Sequence, residues 1–137
     1  PEALRDAFAL REALEGKAAA HAAQNRTVAE AKAIMAHAEQ SGRAAQKSDR
    51  LAFHEADRSF HLAVGAAAHS QQLERYLANV LDLALTLRNL RTADTQFRPT
   101  WVNDHTAIAE AIERGDAAEA ERVSREHVSK VLRSLGA

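Results

Sequence analysis

Asp57 and His61 lie four residues apart in Asp57-Arg58-Ser59-Phe60-His61, inside a segment from Ser48 to Ala68 that reads as one helix. That spacing stacks the two side chains one turn apart on a single helix face. A carboxylate oxygen and an imidazole nitrogen then converge on a point where a divalent cation can sit. Two ligands alone hold an ion weakly, so the other histidines decide the matter. The chain has seven. His105 stands three residues before Ile108 and His127 one before Val128, each in its own amphipathic stretch. A lone histidine in that setting is ordinarily a buried ring bonded to a backbone carbonyl. Three of them with an aspartate, drawn from three helices, form an Asp/His₃ set suited to a borderline divalent metal.

The remaining histidines divide by context. His54 precedes Asp57 by three residues and shares its face, so it is placed along the same cavity. His21 and His37 fall among polar residues and read as surface positions. His69 lies near a helix end, where it can bond the last carbonyls.

The elements that must position these groups are helices. Of the 137 residues, 46% are hydrophobic but only 4% aromatic, so the core is built mainly from Ala, Leu, Val and Ile. Two prolines and five glycines give little punctuation for a sheet protein. The expected fold is all-α, an antiparallel bundle of about six helices around a central metal and effector cavity.

Formal net charge is −1, without the basic excess of a domain that grips DNA or an anionic membrane through its own surface. Cysteine is absent, which removes disulfides, thiolate ligands and a cysteine nucleophile and agrees with the expected cytoplasmic location. No apolar run approaches the roughly 18 residues of a membrane span, so no membrane partner is expected. The chain opens at Pro1 with a helical pattern already under way, as expected of a piece of a longer protein.

Apolar residues recur near a 3.6 period from Glu2 to Asn25. Thr27 then caps a second helix, with Glu30 completing a capping box, and Ser41-Gly42 is its expected end. Arg43 to Lys47 reads as a polar link. Ser48 or Asp49 caps the third helix, which carries Leu51, Phe53, Phe60, Leu62 and Val64 and ends around Ala68-His69-Ser70. A fourth runs to about Leu90, and Arg91 to Pro99 reads as the longest loop. The fifth runs from Pro99 or Thr100 to Arg114-Gly115, and Asp116 caps the sixth, which reaches towards Leu135.

Three segments in order resemble a known family. Arg11-Glu12-Ala13-Leu14-Glu15 precedes an alanine-rich stretch to Ala23. Asp57-Arg58-Ser59-Phe60-His61 is a D-x-x-F-H element. His105-Thr106-Ala107-Ile108-Ala109-Glu110-Ala111-Ile112 leads to Gly115-Asp116, Ala120 and His127. Together they are similar to the FCD domain, the C-terminal ligand-sensing domain of FadR-type GntR transcription regulators, over nearly the whole chain. One departure is His69, where that family often has asparagine.

The resemblance implies a metal held by Asp57, His61, His105 and His127, with zinc expected first and nickel or manganese also acceptable. It places Arg11 in the effector cavity facing that metal, where a guanidinium clamps a carboxylate bidentately; alone, Arg11 reads as a surface arginine paired with Glu15 one turn on. Arg88 is a second candidate contact and His54 a third. The implied function is sensing of a small organic acid by a homodimer that reaches DNA only through a winged helix-turn-helix domain missing from this chain. Two-fold dimers also suit palindromic operators. The alternatives are a metal-dependent hydrolase or lyase, for which Glu15 and Glu55 are unplaced candidate bases, and a purely structural dimerisation module. No H-E-x-x-H pattern is present.

Overall fold

The computed structural model describes residues 2–91 and 99–136, with Arg91 given by its backbone alone. The described residues form six α-helices: α1 (Glu2–Asn25), α2 (Val28–Gln46), α3 (Arg50–Ala67), α4 (Gln71–Arg91), α5 (Pro99–Glu113) and α6 (Ala117–Ser134). Most of the expected Arg91–Pro99 loop lies outside the described residues. None of the helices is long and apolar enough to cross a membrane.

Local chemistry sets most boundaries. Thr27 Oγ1 accepts from the Glu30 amide at 3.1 Å while Glu30 Oε1 accepts from the Thr27 amide at 2.8 Å, the reciprocal capping box. Asp49 and Asp116 cap α3 and α6 by accepting from the amides of Ala52 and Glu119. Gly115, at φ 76°, ends the α5 corner in the left-handed region.

One boundary differs from expectation. Gly42 does not stop α2, and the stretch read as a polar link is another helical turn. The chain turns at Ser48, at φ 54°, with the Asp49 amide reaching back to the Ala44 carbonyl. A Cβ on Gly42 would lie 3.3 Å from Val102 Cγ1 on α5. The glycine therefore serves close packing of α2 on α5. It does so despite the roughly 1 kcal/mol that glycine costs inside a helix.

α1 is the central element, packed against α3, α4, α5 and α6, while α2 turns away from it to pack on α3 and α5. Ala18, Ala19, Ala22 and Ala23 are sealed in the core, and their small side chains let neighbouring helices come close.

The apolar interior is split into two clusters. One gathers the α1 alanines with Ile34, Phe60, Val64, Leu77, Ile108, Ile112 and Val123. The other gathers Leu4, Phe8, Phe53, Trp101, Val128, Val131 and Leu135. Several helices cross from one cluster to the other, and each changes chemistry at the crossing. α1 passes from Phe8 through Arg11 and Glu15 to Ala18; α3 from Phe53 through Asp57 and His61 to Val64. α5 passes from Trp101 through His105 to Ile108, and α6 from Val123 through Ser124 and His127 to Val128. A buried polar layer thus lies between two apolar ones.

Candidate metal centre

Asp57, His61, His105 and His127 meet in that layer. All four are buried, and one candidate ligand atom from each lies within 4.8 Å of the others. The three imidazole centroids are 5.2–5.5 Å apart. Asp57 Oδ1 is the hub, 3.2 Å from His61 Nε2 and 2.9 Å from His105 Nε2.

The opposite nitrogen of each ring is held by a separate outer partner. Ser41 Oγ donates to the Ala38 carbonyl at 2.7 Å, so its hydroxyl proton is committed. It can then only accept from His105 Nδ1, 3.0 Å away, which puts the proton on Nδ1 and leaves Nε2 bare. His105 Nε2 makes no hydrogen bond among the described residues despite its closeness to Asp57, so the lone pairs of nitrogen and oxygen face a shared space. His127 Nδ1 donates to Asp104 Oδ2 at 2.9 Å, and Asp104 Oδ1 is held by Lys130 Nζ at 3.2 Å. His61 Nδ1 pairs with Glu15 Oε1, and the other oxygen of Glu15 pairs with Arg11 Nε.

Electrostatics follow from burial and these pairs. Burial works against the Asp57 carboxylate, but the charge of His61 beside it outweighs that and holds Asp57 well below the usual carboxylate range. Glu15 is likewise opposed by burial yet held down to about 2 by Arg11 and His61. Burial disfavours the charged form of His61, but Glu15 and Asp57 push it up to about 9. Burial pushes His127 down to about 4 against the pull of Asp104, and it lowers His105 as well. Two of the three imidazoles are therefore held neutral, the form that binds metal.

The residues fit a divalent ion. Protein nitrogens and oxygens bind zinc at about 2.0–2.2 Å, so donors around one ion sit within about 4.4 Å of each other. A cluster contained in 4.8 Å closes onto an ion by sub-ångström shifts. Orientation of each imidazole through its far nitrogen is also what metal sites require.

Arg11 is 1% exposed, sits over the Phe8 ring and brings Nη2 to 3.5 Å from His61 Nε2. Its Nη1 is buried with no hydrogen-bond partner among the described residues. Arg88, also buried, holds His54 Nδ1 at 3.2 Å. Burial lowers both groups, and Asp57 opposes that effect on each. The void lined by Glu15, Phe60, His61, Val64, Leu77, Ile108 and Ser124 is too small to admit a water molecule.

Other candidates lie elsewhere. Glu55 lines a surface groove with Gln40, Arg43, Lys47, Asp49 and Ser59, away from the histidines. Among the described residues the His69 ring meets a carboxylate in place of a carbonyl, with Nε2 2.7 Å from Glu30 Oε1, and its φ of 54° lies in the left-handed region that asparagine also adopts. His21 and His37 are half-buried. Sequence reasoning missed Ser41, read as a helix end, and Asp104, which carries no sign of its cross-helix partner.

A family model, the FCD domain, matches residues 6–130. No curated protein matches the chain. With a buried Asp/His₃ set drawn from three of its helices and a family match over most of its length, the chain belongs to the FCD domain family, the effector-sensing domains of GntR-type transcription regulators.

Proposed function

We propose that this domain senses a small organic acid through a divalent metal held by Asp57, His61, His105 and His127. Zinc is the first choice; nickel and manganese suit the same donors. The observation that supports this most is the arrangement of the three imidazoles. Each is anchored through Nδ1 by its own partner, which leaves Nε2 of each available to the space beside Asp57. When bound, the ion supplies positive charge and open coordination positions for an anionic ligand.

Arg11 is the proposed clamp, with Arg88 and His54 as further contacts. A divalent ion with Asp57, Glu15 and Arg11 leaves one net positive charge in an apolar surround, with the histidines neutral. A carboxylate offsets that charge and satisfies the bare Nη1 of Arg11; a neutral ligand does neither. The tight packing beside Glu15 and His61 means that a ligand entering there must part α1 from its neighbours. Such a ligand biases one arrangement of the bundle over another, which is what a sensor needs. In the whole regulator, a homodimer would pass this to DNA through a separate winged helix-turn-helix domain, residues 1–137 being the sensing and dimerisation part.

Sensing is favoured over a metal-dependent hydrolase or lyase because both oxygens of Glu15 are engaged and Glu55 lies off the site. The test is a thermal-shift screen of metabolite acids against matched amides and alcohols, repeated with Arg11→Ala and with metal-stripped protein. Acids should stabilise the domain selectively, and both altered proteins should lose that response. Equal stabilisation by neutral analogues refutes the reading.

A further inference from the structure

Glu15 stands on α1, one turn from Arg11, and is buried as completely as the histidines. Carboxylates are rarely this buried unless fully paired. Its two oxygens do different jobs: Oε1 meets His61 Nδ1 on α3, and Oε2 meets Arg11 Nε on its own helix. No other described carboxylate bridges a residue of the metal set to an arginine beside it. Asp104 performs half of this task, orienting His127, but its second oxygen goes to Lys130, which is far more exposed than Arg11.

We infer that Glu15 is a positioning residue that fixes a metal ligand and the effector arginine together. This rests on the reading of the site as a metal-dependent acid sensor. One oxygen accepts the Nδ1 proton of His61, which keeps Nε2 aimed at the ion. The other holds Arg11 by Nε, which leaves Nη1, without a partner among the described residues, for the ligand, while Nη2 lies 3.5 Å from His61 Nε2. A ligand that draws Arg11 inward therefore pulls on the carboxylate that orients His61. The ligand arm and the metal arm share one joint, and that joint ties α1 to α3.

A glutamine at this position cannot serve both partners, because each needs an acceptor and an amide offers only one oxygen. An aspartate keeps the charge but lacks the reach to span both. The experiment uses Co²⁺ as the metal probe and acetate, against acetamide, as the ligand probe, with wild type, Glu15→Gln and Glu15→Asp. Titration of Co²⁺ at fixed temperature, followed by its visible absorption, reads the metal arm. The melting-temperature shift with acetate at saturating Co²⁺ reads the ligand arm.

Both variants should bind Co²⁺ about 10–100-fold more weakly, with an altered spectrum, as loss of an outer partner of a ligating histidine typically does. Both should respond to acetate no more than to acetamide. A purely structural glutamate would lower the melting temperature and leave Co²⁺ affinity and spectrum unchanged, which overturns the inference. Loss of the metal arm with an intact acetate response overturns the joint. If Glu15→Gln does not fold, Glu15→Asp decides alone. A wild-type domain that takes up no Co²⁺ refutes the metal reading itself. One that binds Co²⁺ but ignores acetate refutes the organic-acid reading, and Co²⁺ affinity then still decides whether Glu15 positions His61.

Discussion

At the scale of single residues, the proposed metal centre turns on which nitrogen carries a proton. Without metal, His61 keeps its Nε2 proton up to about pH 9, whereas the unfolded chain releases it near the ordinary 6.5. The raised value means His61 stabilises the metal-free fold fully below 6.5, and that contribution fades as the pH rises through 9. A metal bound as proposed would take the same nitrogen and so compete with that proton across the same window. Metal affinity should climb by up to about tenfold per pH unit between pH 7 and 8. Competition against a chelator of known pH dependence measures this, and a flat profile would mean that His61 Nε2 is not a ligand. The purified domain should carry about one divalent ion per chain, with His61→Ala and His127→Ala losing it by elemental analysis. Full retention in both would sink the ligand assignment. Metal removal should also lower the melting temperature, because an ion that binds only the folded state stabilises it by mass action.

At the scale of elements, the helix count and the Asp57–His61 pair were legible because both follow from spacing within one segment. His105 and His127 were legible as histidines on amphipathic helices, though periodicity alone could not say that their faces converge. The outer partners were not legible. Ser41 and His105 are 64 residues apart, and Asp104 and His127 are 23 apart, so their pairing exists only once the helices pack. Gly42 misled for a related reason, since its role is an approach to α5 that no local pattern encodes. Leu51 belonged to the expected apolar set yet is 71% exposed, while Phe53, two residues on, is sealed and lies 6.3 Å from the His105 ring. Phe53→Ala should therefore cost about 3–5 kcal/mol, and Leu51→Ala should stay within about 0.5 kcal/mol. Chemical denaturation of the two variants checks the contrast, and similar losses in both would contradict the placement of α3.

At the scale of the whole molecule, charge and surface decide which partners fit. A net charge of −1 gives no electrostatic grip on phosphates, so this chain alone should form no tight sequence-specific complex with DNA in a mobility-shift experiment at moderate salt. The proposed homodimer has a different support. Leu10, Tyr76 and Leu83 are each more than half exposed, and they line one groove between α1 and α4 together with Leu14, Leu73 and Val80. Scattered apolar residues are ordinary on a surface, but a continuous set along two adjacent helices is where association is expected. A two-fold pairing uses the same face on both copies, so one such groove is enough to close a dimer. That face lies on α1 and α4, the helices that also carry Arg11 and Arg88, so the proposed ligand binding at the polar layer and the proposed pairing at the surface would act on the same two elements. Tyr76→Asp and Leu83→Asp should each shift light scattering from dimer towards monomer while leaving helical content and metal uptake in place. Dimers that persist in both variants, or a wild-type monomer at high concentration, would exclude this face as the contact.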